Sequence, residues 1–257
     1  MINNLEKGSD IVAKYEVVLF DKKHVFIPHE TSTDLLIVCT APLIPEPFKY
    51  ELLSKLYKDQ RCNLLFLTNT NKTYYLDQDS GLAYQTLIEY YIEQFNQHEC
   101  YIYGTSSGGS AALYFGIKLK INCIAVGFQS NKDITLKSKT STNYGINVDG
   151  CVEYMNASSF KDLDILIEEE KLSSVLYLMY NSNPTDLANA LQMNTAKYDS
   201  GIIVTEKTPG ISHVVDASRE ALMIDSPNEL YKRMKIISSF YDANLLPKII
   251  INPTTRR

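Results

Sequence analysis

A serine between glycines is the feature of this sequence that most directly points to chemistry. Ser106 is the central residue of the stretch GTSSG at positions 104–108, a G-x-S-x-G pattern. The pattern alone is weak, but the apolar run YIY at 101–103 precedes it and a helix of small residues is predicted from Ser107. A strand, a sharp turn bearing a serine and a helix together form a nucleophile elbow, which lifts the hydroxyl above a sheet. The two glycines remove Cβ atoms that would collide across this strained turn.

Attack by Ser106 on a carbonyl would create an oxyanion, which needs hydrogen-bond donors. The N–H groups at a helix N-terminus favour negative charge, so the Ser107 N–H is the first donor we expect. The second should come from the loop after the third strand. That loop is TAPL at 40–43, and because its proline has no N–H we favour Ala41 over Leu43. Two structural alternatives stay open: the glycine-rich turn could only pack a helix against a strand, and the proline-rich loop could only start the next helix.

A serine hydroxyl needs a base to become a nucleophile, and the chain has four histidines. Three of them, His24, His29 and His98, precede the elbow, and we expect core or surface roles for each. The fourth, His213, follows a predicted strand at 202–204, in a loop that should return to the carboxyl edge of the sheet. An isolated histidine is more often structural than catalytic, but its place in the chain order favours His213 as the base.

The base in turn needs a carboxylate that holds its tautomer. Asp186 is the only acid in the loop 180–186, which follows a predicted strand. The resulting order, Ser…Asp…His, is the one found in α/β-hydrolases. Two alternatives stay open: Asp186 or its neighbour could instead cap a helix predicted from Leu187, and Asp216 is a reserve candidate for the acid.

Apolar periodicity predicts the elements that would position these residues. A hairpin comes first, and strands then alternate with helices, which predicts an α/β fold. We expect a mostly parallel, α/β-hydrolase-like sheet with an N-terminal antiparallel hairpin and helices on both faces, in a single domain over 1–257. Periodicity is lost around 129–160, where we predict a lid-like insertion, although a surface loop without a role fits equally well. The predicted strands are 17–20, 24–27, 35–39, 64–67, 101–103, 123–126, 175–179 and 202–204; the predicted helices are 48–58, 82–95, 107–119, 162–170, 187–196 and 227–243.

Composition excludes several other classes of protein. Of 257 residues, 45% are apolar and 21% charged, which excludes a disordered tail, a collagen-like repeat and a disulfide-rich miniprotein. The net charge of −5 argues against a nucleic-acid partner. The five cysteines are widely spaced with no C-x-x-C pair, so we expect no metal site and no disulfide framework. The start lacks a signal-peptide pattern and no apolar run has spanning length, so we expect a cytoplasmic protein with no membrane span.

The elbow in its wider frame, YIYGTSSGGSAALYFG, resembles that of bacterial capsular-polysaccharide O-acetyltransferases of the α/β-hydrolase type. The similarity extends to the GSDI start at 8–11, the proline-containing loop after the third strand and the late G-x-x-H loop at 210–213. Among these points only the elbow is specific. The loop NSNPTD at 181–186 differs from the Gly-x-Asp-Asp run of the family.

The resemblance implies acetyl transfer by double displacement, with acetyl-CoA as the donor substrate and no permanently bound cofactor. The acceptor would be a sugar hydroxyl of a capsular polysaccharide. Ser106, His213 and Asp186 would be the catalytic residues, and the Ser107 and Ala41 amides would form the oxyanion hole. With the same residues a serine carboxylesterase or deacetylase would use water as acceptor, and a non-catalytic accessory protein would keep only the fold. An oligomer is compatible with all three alternatives.

Overall fold

Strands and helices alternate along most of the chain. The computed structural model describes residues 8–41, 50, 52–69, 73–141, 160–194, 196, 200–208 and 226–247. The strands are β1 (Glu16–Leu19), β2 (Lys22–Ile27), β3 (Leu35–Cys39), β4 (Asn63–Leu67), β5 (Cys100–Thr105), β6 (Asn122–Val126), β7 (Val175–Tyr180) and β8 (Ile202–Lys207). The helices are α1 (Gly8–Tyr15), α2 (Leu53–Lys58), α3 (Leu82–Ile92), α4 (Ser107–Leu119), α5 (Lys132–Ser141), α6 (Leu163–Glu170), α7 (Pro184–Met193) and α8 (Pro227–Asp242), with a 3₁₀ turn at Gln97–Glu99.

All these strands lie in one eight-stranded sheet, in the order β1-β2-β4-β3-β5-β6-β7-β8. The strands from β4 across to β8 pair in parallel, whereas β2 pairs antiparallel with both β1 and β4. The mostly parallel sheet with an N-terminal antiparallel hairpin is therefore confirmed. Because the strands are parallel, the segments that follow β3, β5, β6, β7 and β8 all leave from the same edge, where α/β sheets bind their ligands.

Helices cover both faces of the sheet, as predicted. Every residue of β3 is buried, which is typical of a parallel strand covered on both sides. Successive side chains of a strand point to opposite faces. Leu35 and Ile37 accordingly pack in one apolar cluster with residues of α3, α4, α6 and α7. Leu36 and Val38 pack in a second cluster with residues of α1, α2 and α8.

The first hairpin differs from the prediction in its turn. We expected a three-residue connection, but β1 and β2 are joined by the two residues Phe20 and Asp21, and Leu19 pairs with Lys22. Both turn residues have positive φ, 51° and 57°. A two-residue turn of this kind matches the twist of the paired strands, which explains the shorter connection.

The predicted insertion around 129–160 begins with a helix that the sequence pattern did not reveal. Helix α5 is capped by Asn131, whose Oδ1 accepts a hydrogen bond from Ile134 N at 3.0 Å. The two ends of the insertion are joined, because Asp162 accepts hydrogen bonds from Asn131 Nδ2 and Lys132 N, each at 2.8 Å. Residues 142–159 lie outside the described residues, so the lid stays a prediction.

Among the helices of the described residues, none has both the length and the apolar character needed to cross a bilayer.

Candidate active site

Ser106 lies in the turn between β5 and α4 with a strained backbone. Its φ is 50° and its ψ −123°, a conformation that a residue with a side chain rarely adopts. The Ser106 N–H donates to Val126 O of the neighbouring strand at 2.9 Å, and Ser106 O accepts the Ser110 N–H at 3.0 Å. The residue is thus held on one side by the sheet and on the other by the first turn of the helix. Its side chain is largely buried, with 9% of the residue exposed.

The glycines on either side of Ser106 permit contacts that a side chain would prevent. A Cβ on Gly104 would lie 2.1 Å from the carbonyl oxygen of Gly108. A Cβ on Gly108 would lie 2.3 Å from the carbonyl oxygen of Cys39, at the end of β3. Both distances are far below van der Waals contact. Positions 104 and 108 therefore require glycine, as the G-x-S-x-G spacing predicts. Helix α4 begins in direct contact with the end of β3.

The two predicted oxyanion donors lie beside this turn. Ser107 is the first residue of α4, where backbone N–H groups have no partner within the helix. Ala41 follows β3, and its nitrogen is 3.3 Å from the position that a Cβ on Gly108 would occupy. The preceding residue, Thr40, extends the pairing of β3 with β4, because its N–H donates to Leu67 O at 3.1 Å. Their roles as donors stay predictions.

Asp186 lies in the first turn of α7, directly after β7. The structure excludes the alternative that it caps the helix: α7 begins at Pro184, and Asn183 is the capping residue. The Asn183 side chain accepts hydrogen bonds from Thr185 N at 3.0 Å and from Asp186 N at 3.4 Å. Asp186 is almost completely buried, with 1% of the residue exposed. A carboxyl group so deeply buried normally serves a specific polar partner.

The loop after β6 connects the helix of Ser106 with the helix of Asp186. Gln129 donates its N–H to Ser110 Oγ in α4 at 2.9 Å, and its Oε1 accepts from the same hydroxyl at 3.2 Å. The next residue, Ser130, donates its N–H to Asn189 Oδ1 in α7 at 2.8 Å and its hydroxyl to Asn189 O at 2.9 Å. The two candidate residues therefore stand on a hydrogen-bonded frame at one edge of the sheet. Sequence reasoning overlooked this frame, because its contacts join segments far apart in the chain.

His213 lies outside the described residues, as does the reserve acid Asp216, so their roles stay predictions. The segment that leads to His213 leaves from the same sheet edge. Thr208 N donates to Tyr180 O at 2.8 Å and extends the pairing of β8 with β7. Strand β8 is attached to α8 by Arg233, whose guanidinium contacts both carboxylate oxygens of Glu206, at 3.1 and 2.7 Å.

Comparisons with solved structures place this architecture among enzymes of known fold. The capsule O-acetyltransferase of Neisseria meningitidis serogroup A, in complex with caged gadolinium, matches with a TM-score of 0.57 and 18% identity, over 95% of this chain and 99% of that chain. A histidine-to-alanine mutant of that enzyme in complex with CoA matches with a TM-score of 0.53 and 16% identity, over 95% and 100%. An esterase/lipase from an uncultured bacterium matches with a TM-score of 0.61 and 11% identity, over 88% and 84%. This chain has the α/β-hydrolase fold.

At these identities the similarity concerns the fold, and it confirms the predicted resemblance at that level. No family model matches the chain, and no curated protein matches its sequence. In an α/β-hydrolase fold the nucleophile precedes the acid and the base in the chain, and the second oxyanion donor comes from the loop after β3. The predicted residues follow this order along the chain, with Ala41 after β3, Ser106 after β5, Asp186 after β7 and His213 after β8, and their roles stay predictions.

The three histidines that precede Ser106 in the chain have surroundings typical of structural residues. His24 is completely buried, and its ring nitrogens contact Tyr91 Oη at 2.7 Å and Lys22 O at 3.1 Å. Burial lowers the pKa of His24, which outweighs the opposing effect of the Lys22 carbonyl. His29 Nδ1 accepts backbone N–H groups of its own turn, and His98 lies before the amino end of β5, at the opposite edge of the sheet from Ser106. These surroundings agree with the core and surface roles expected for all three.

Proposed function

We propose that the protein is a serine-dependent O-acetyltransferase, which moves an acetyl group from acetyl-CoA to a hydroxyl of a bacterial capsular polysaccharide. The observation that carries the proposal is the strained backbone of Ser106, at φ 50° between strand and helix, in a turn too tight for any residue but glycine at 104 and 108. Such strain is expected where a hydroxyl must be presented for reaction. The choice of acetyl-CoA and polysaccharide rests on the similarity in fold to the meningococcal capsule enzyme, one structure of which contains CoA.

In the first half-reaction Ser106 Oγ attacks the thioester carbonyl and its proton passes to His213. Asp186 accepts a hydrogen bond from the other ring nitrogen of His213 and holds the ring in the tautomer that can take the proton. The N–H groups of Ser107 and Ala41 stabilise the oxyanion. When the tetrahedral intermediate collapses, the C–S bond breaks, the CoA sulfur takes the proton from His213, and the acetyl group stays on Ser106.

In the second half-reaction a sugar hydroxyl gives its proton to His213 and attacks the acetyl carbonyl of the acyl-enzyme. The same two amides stabilise the second oxyanion. The bond between the acetyl carbon and Ser106 Oγ then breaks, the proton returns to the serine, and the sugar leaves as an acetyl ester. Transfer must outcompete hydrolysis, so water has to be kept from the acyl-serine. We assign this task to the insertion at 129–160, whose ends are joined next to the loop after β6.

The second candidate function is a serine esterase or deacetylase with the same residues. The fold similarity to an esterase/lipase favours it, at a TM-score of 0.61. The two functions differ only in whether a sugar or water reaches the acyl-serine. A non-catalytic accessory protein is the third alternative, and it has no need for a strained serine.

One experiment separates these functions. The protein is incubated with acetyl-CoA, with and without capsular polysaccharides, while free thiol and polymer-bound acetyl are measured. A transferase releases thiol in proportion to acetyl bound by one of the polymers. Thiol release that no polymer affects, together with rapid hydrolysis of small esters, would establish the esterase instead.

The nucleophile is tested by Ser106→Ala, with Ser239→Ala as the matched control on helix α8, which packs against the opposite face of the sheet from α4. We expect Ser106→Ala to abolish thiol release and ester cleavage, and to abolish acetylation of the peptide that carries residue 106. Ser239→Ala should retain full activity. If Ser106→Ala kept near-normal turnover while folded, the strained turn would be structural and the proposal would fail.

A further inference from the structure

A buried tyrosine lies beneath the carboxyl ends of β3 and β4. Tyr75, in the loop between β4 and α3, is completely buried, and its hydroxyl is a donor shared between two carbonyl oxygens, that of Thr40 at 2.9 Å and that of Leu67 at 3.0 Å. Its φ is 64°, and that of Tyr74 is 53°. Two successive non-glycine residues in the left-handed region are strained, so the contacts of the loop must maintain this conformation.

The Tyr75 hydroxyl contacts the peptide unit whose N–H is the proposed second oxyanion donor. The carbonyl of Thr40 and the N–H of Ala41 belong to one peptide, and in a planar trans peptide they point in opposite directions. The N–H of Thr40 is also fixed, by its hydrogen bond to Leu67 O at 3.1 Å. With the Thr40 carbonyl directed at Tyr75, the Ala41 N–H must point away from it. The Ala41 nitrogen lies beside Gly108, next to the turn of Ser106.

We propose that Tyr75 is a positioning residue: its hydroxyl orients the Thr40–Ala41 peptide so that the Ala41 N–H is held ready as an oxyanion donor. This inference rests on the proposed function of Ser106. Tyr75 neither touches the substrate nor exchanges a proton in the reaction. It acts through a neutral hydrogen bond that exists before the substrate arrives, which is what preorganisation of an oxyanion hole requires.

The loop that carries Tyr75 is fixed on both sides of it. Asp77 accepts a hydrogen bond from Thr73 Oγ1 at 2.5 Å and forms an ion pair with Lys22 of β2 at 2.6 Å. The ring of Tyr84, in α3, packs edge-on against the ring of Tyr75 with centroids 4.8 Å apart. These contacts therefore hold the Tyr75 side chain in a fixed position.

The test is Tyr75→Phe, which keeps the ring and removes the hydroxyl. The matched control is Tyr84→Phe, which keeps the ring that packs against Tyr75 and removes only the hydroxyl. Tyr84 is also buried, and its hydroxyl donates to the carbonyl of Thr68 at 2.8 Å, which is not part of the Ala41 peptide. Each variant is assayed with p-nitrophenyl acetate and with an aryl trifluoromethyl ketone. Ser106 Oγ adds to the ketone carbon, its proton passes to the base, and the former carbonyl oxygen becomes an oxyanion in the hole.

We expect Tyr75→Phe to lower kcat by about 10- to 100-fold and to weaken ketone binding by a similar factor, with KM within about twofold of the wild type. Tyr84→Phe should lose a similar amount of thermal stability and keep both kcat and ketone affinity. A Tyr75→Phe protein that is folded and retains both values would overturn the proposal. Equal losses of kcat in the two variants would also overturn it, because they would show a general loosening.

A measurement on the wild-type protein needs no variant. In ¹⁵N-labelled protein, the Ala41 amide proton should shift downfield when the ketone adduct forms, and an unmoved Ala41 resonance would contradict the proposal. Failure of the proposed function looks different: ester cleavage would then be absent from the wild type or would persist in Ser106→Ala, whatever residue stands at 75.

Discussion

Replacing Gly108 by alanine should displace Ser106 and reduce activity strongly while the protein stays folded. The added Cβ would lie 2.3 Å from Cys39 O, 3.1 Å from Cys39 C and 3.3 Å from Ala41 N. All three atoms are backbone at the end of β3, so no side-chain rotation relieves the overlap. A carbon–oxygen contact of normal length requires a separation larger by about 1 Å, so the start of α4 must move away from β3 by about that distance. This movement shifts Ser106 and Ser107 relative to Ala41.

The expected loss of activity follows from this displacement. A misplacement of about 1 Å in a catalytic arrangement costs on the order of 100-fold in rate, or about 2.7 kcal/mol of transition-state stabilisation. Overpacking costs about 1–3 kcal/mol of folding stability, which a domain of this size tolerates. Gly108→Ala should therefore stay folded and lose most of its activity. The assay is the rate of acyl-enzyme formation with p-nitrophenyl acetate, measured together with the free energy of unfolding in urea.

The matched control is Gly116→Ala, farther along the same helix. There the Cβ would lie 2.9 Å from Cys123 Cβ, a side-chain contact distant from the turn. We expect a similar loss of stability and a rate within about twofold of the wild type. A Gly108→Ala protein that acylates at nearly the wild-type rate would refute the argument that close contact between α4 and β3 sets the position of Ser106.

Two further predictions concern stability. Asn122 is completely buried; its side-chain N–H donates to His98 O at 3.0 Å, and its Oδ1 accepts a hydrogen bond from Tyr241 Oη at 2.7 Å. Because Asn122→Ala removes both contacts, it should lower the free energy of unfolding in urea by about 3 kcal/mol. A loss under about 1 kcal/mol would contradict this prediction. Burial, and to a smaller extent the charge of Glu99, raise the pKa of the Asp34 carboxyl to about 6. The folded state therefore binds the proton of this carboxyl more tightly than the unfolded state does, and the protein loses stability as the pH rises from about 4 to 7. Because the Asp34 carboxyl is partly exposed and solvent screens part of the effect, Asp34→Asn should raise the free energy of unfolding at pH 8 by about 1–2 kcal/mol and change it little at pH 4; an equal change at both values would show that titration is not the cause.

Several elements could be predicted from the sequence because their signals are local. Helix α4 has the predicted bounds, Ser107–Leu119, since the glycine-rich turn marks its start. Strands β3 and β4 could be predicted because each is a continuous apolar run, which is typical of a strand covered by helices on both faces of the sheet. The predicted start of α7 at Leu187 is wrong, because the apolar pattern begins there but the helix begins at Pro184; Asn183 followed by a proline is a typical helix start.

Other helices have signals too weak for sequence analysis. Helix α1 buries a single residue, Ile11, and its formation depends on packing against the sheet. Helix α5 has few apolar residues, and Asn131 and the contacts with Asp162 define its beginning. The sheet that stabilises α1, and Asp162 at the start of α5, lie outside these helices, so periodicity within the helix does not report them; the Asn131 cap of α5 is a local signal that apolar periodicity does not include.

The sequence by itself determined the candidates for the chemistry: Ser106 in a glycine-flanked turn after a strand, with Asp186 and His213 after it in the order of an α/β-hydrolase. The residue types of the turn are a local signal, whereas the acid and the histidine are recognisable only by their order along the chain. The tertiary structure decided which segments stand together at the carboxyl edge of the sheet. The position of Ala41 beside Gly108, the frame from Ser110 through Gln129 and the contact of Tyr75 with Thr40 all depend on the order in which the strands pair. Hydrogen bonds between distant segments have no signature in either segment alone, so only the folded sheet could reveal them.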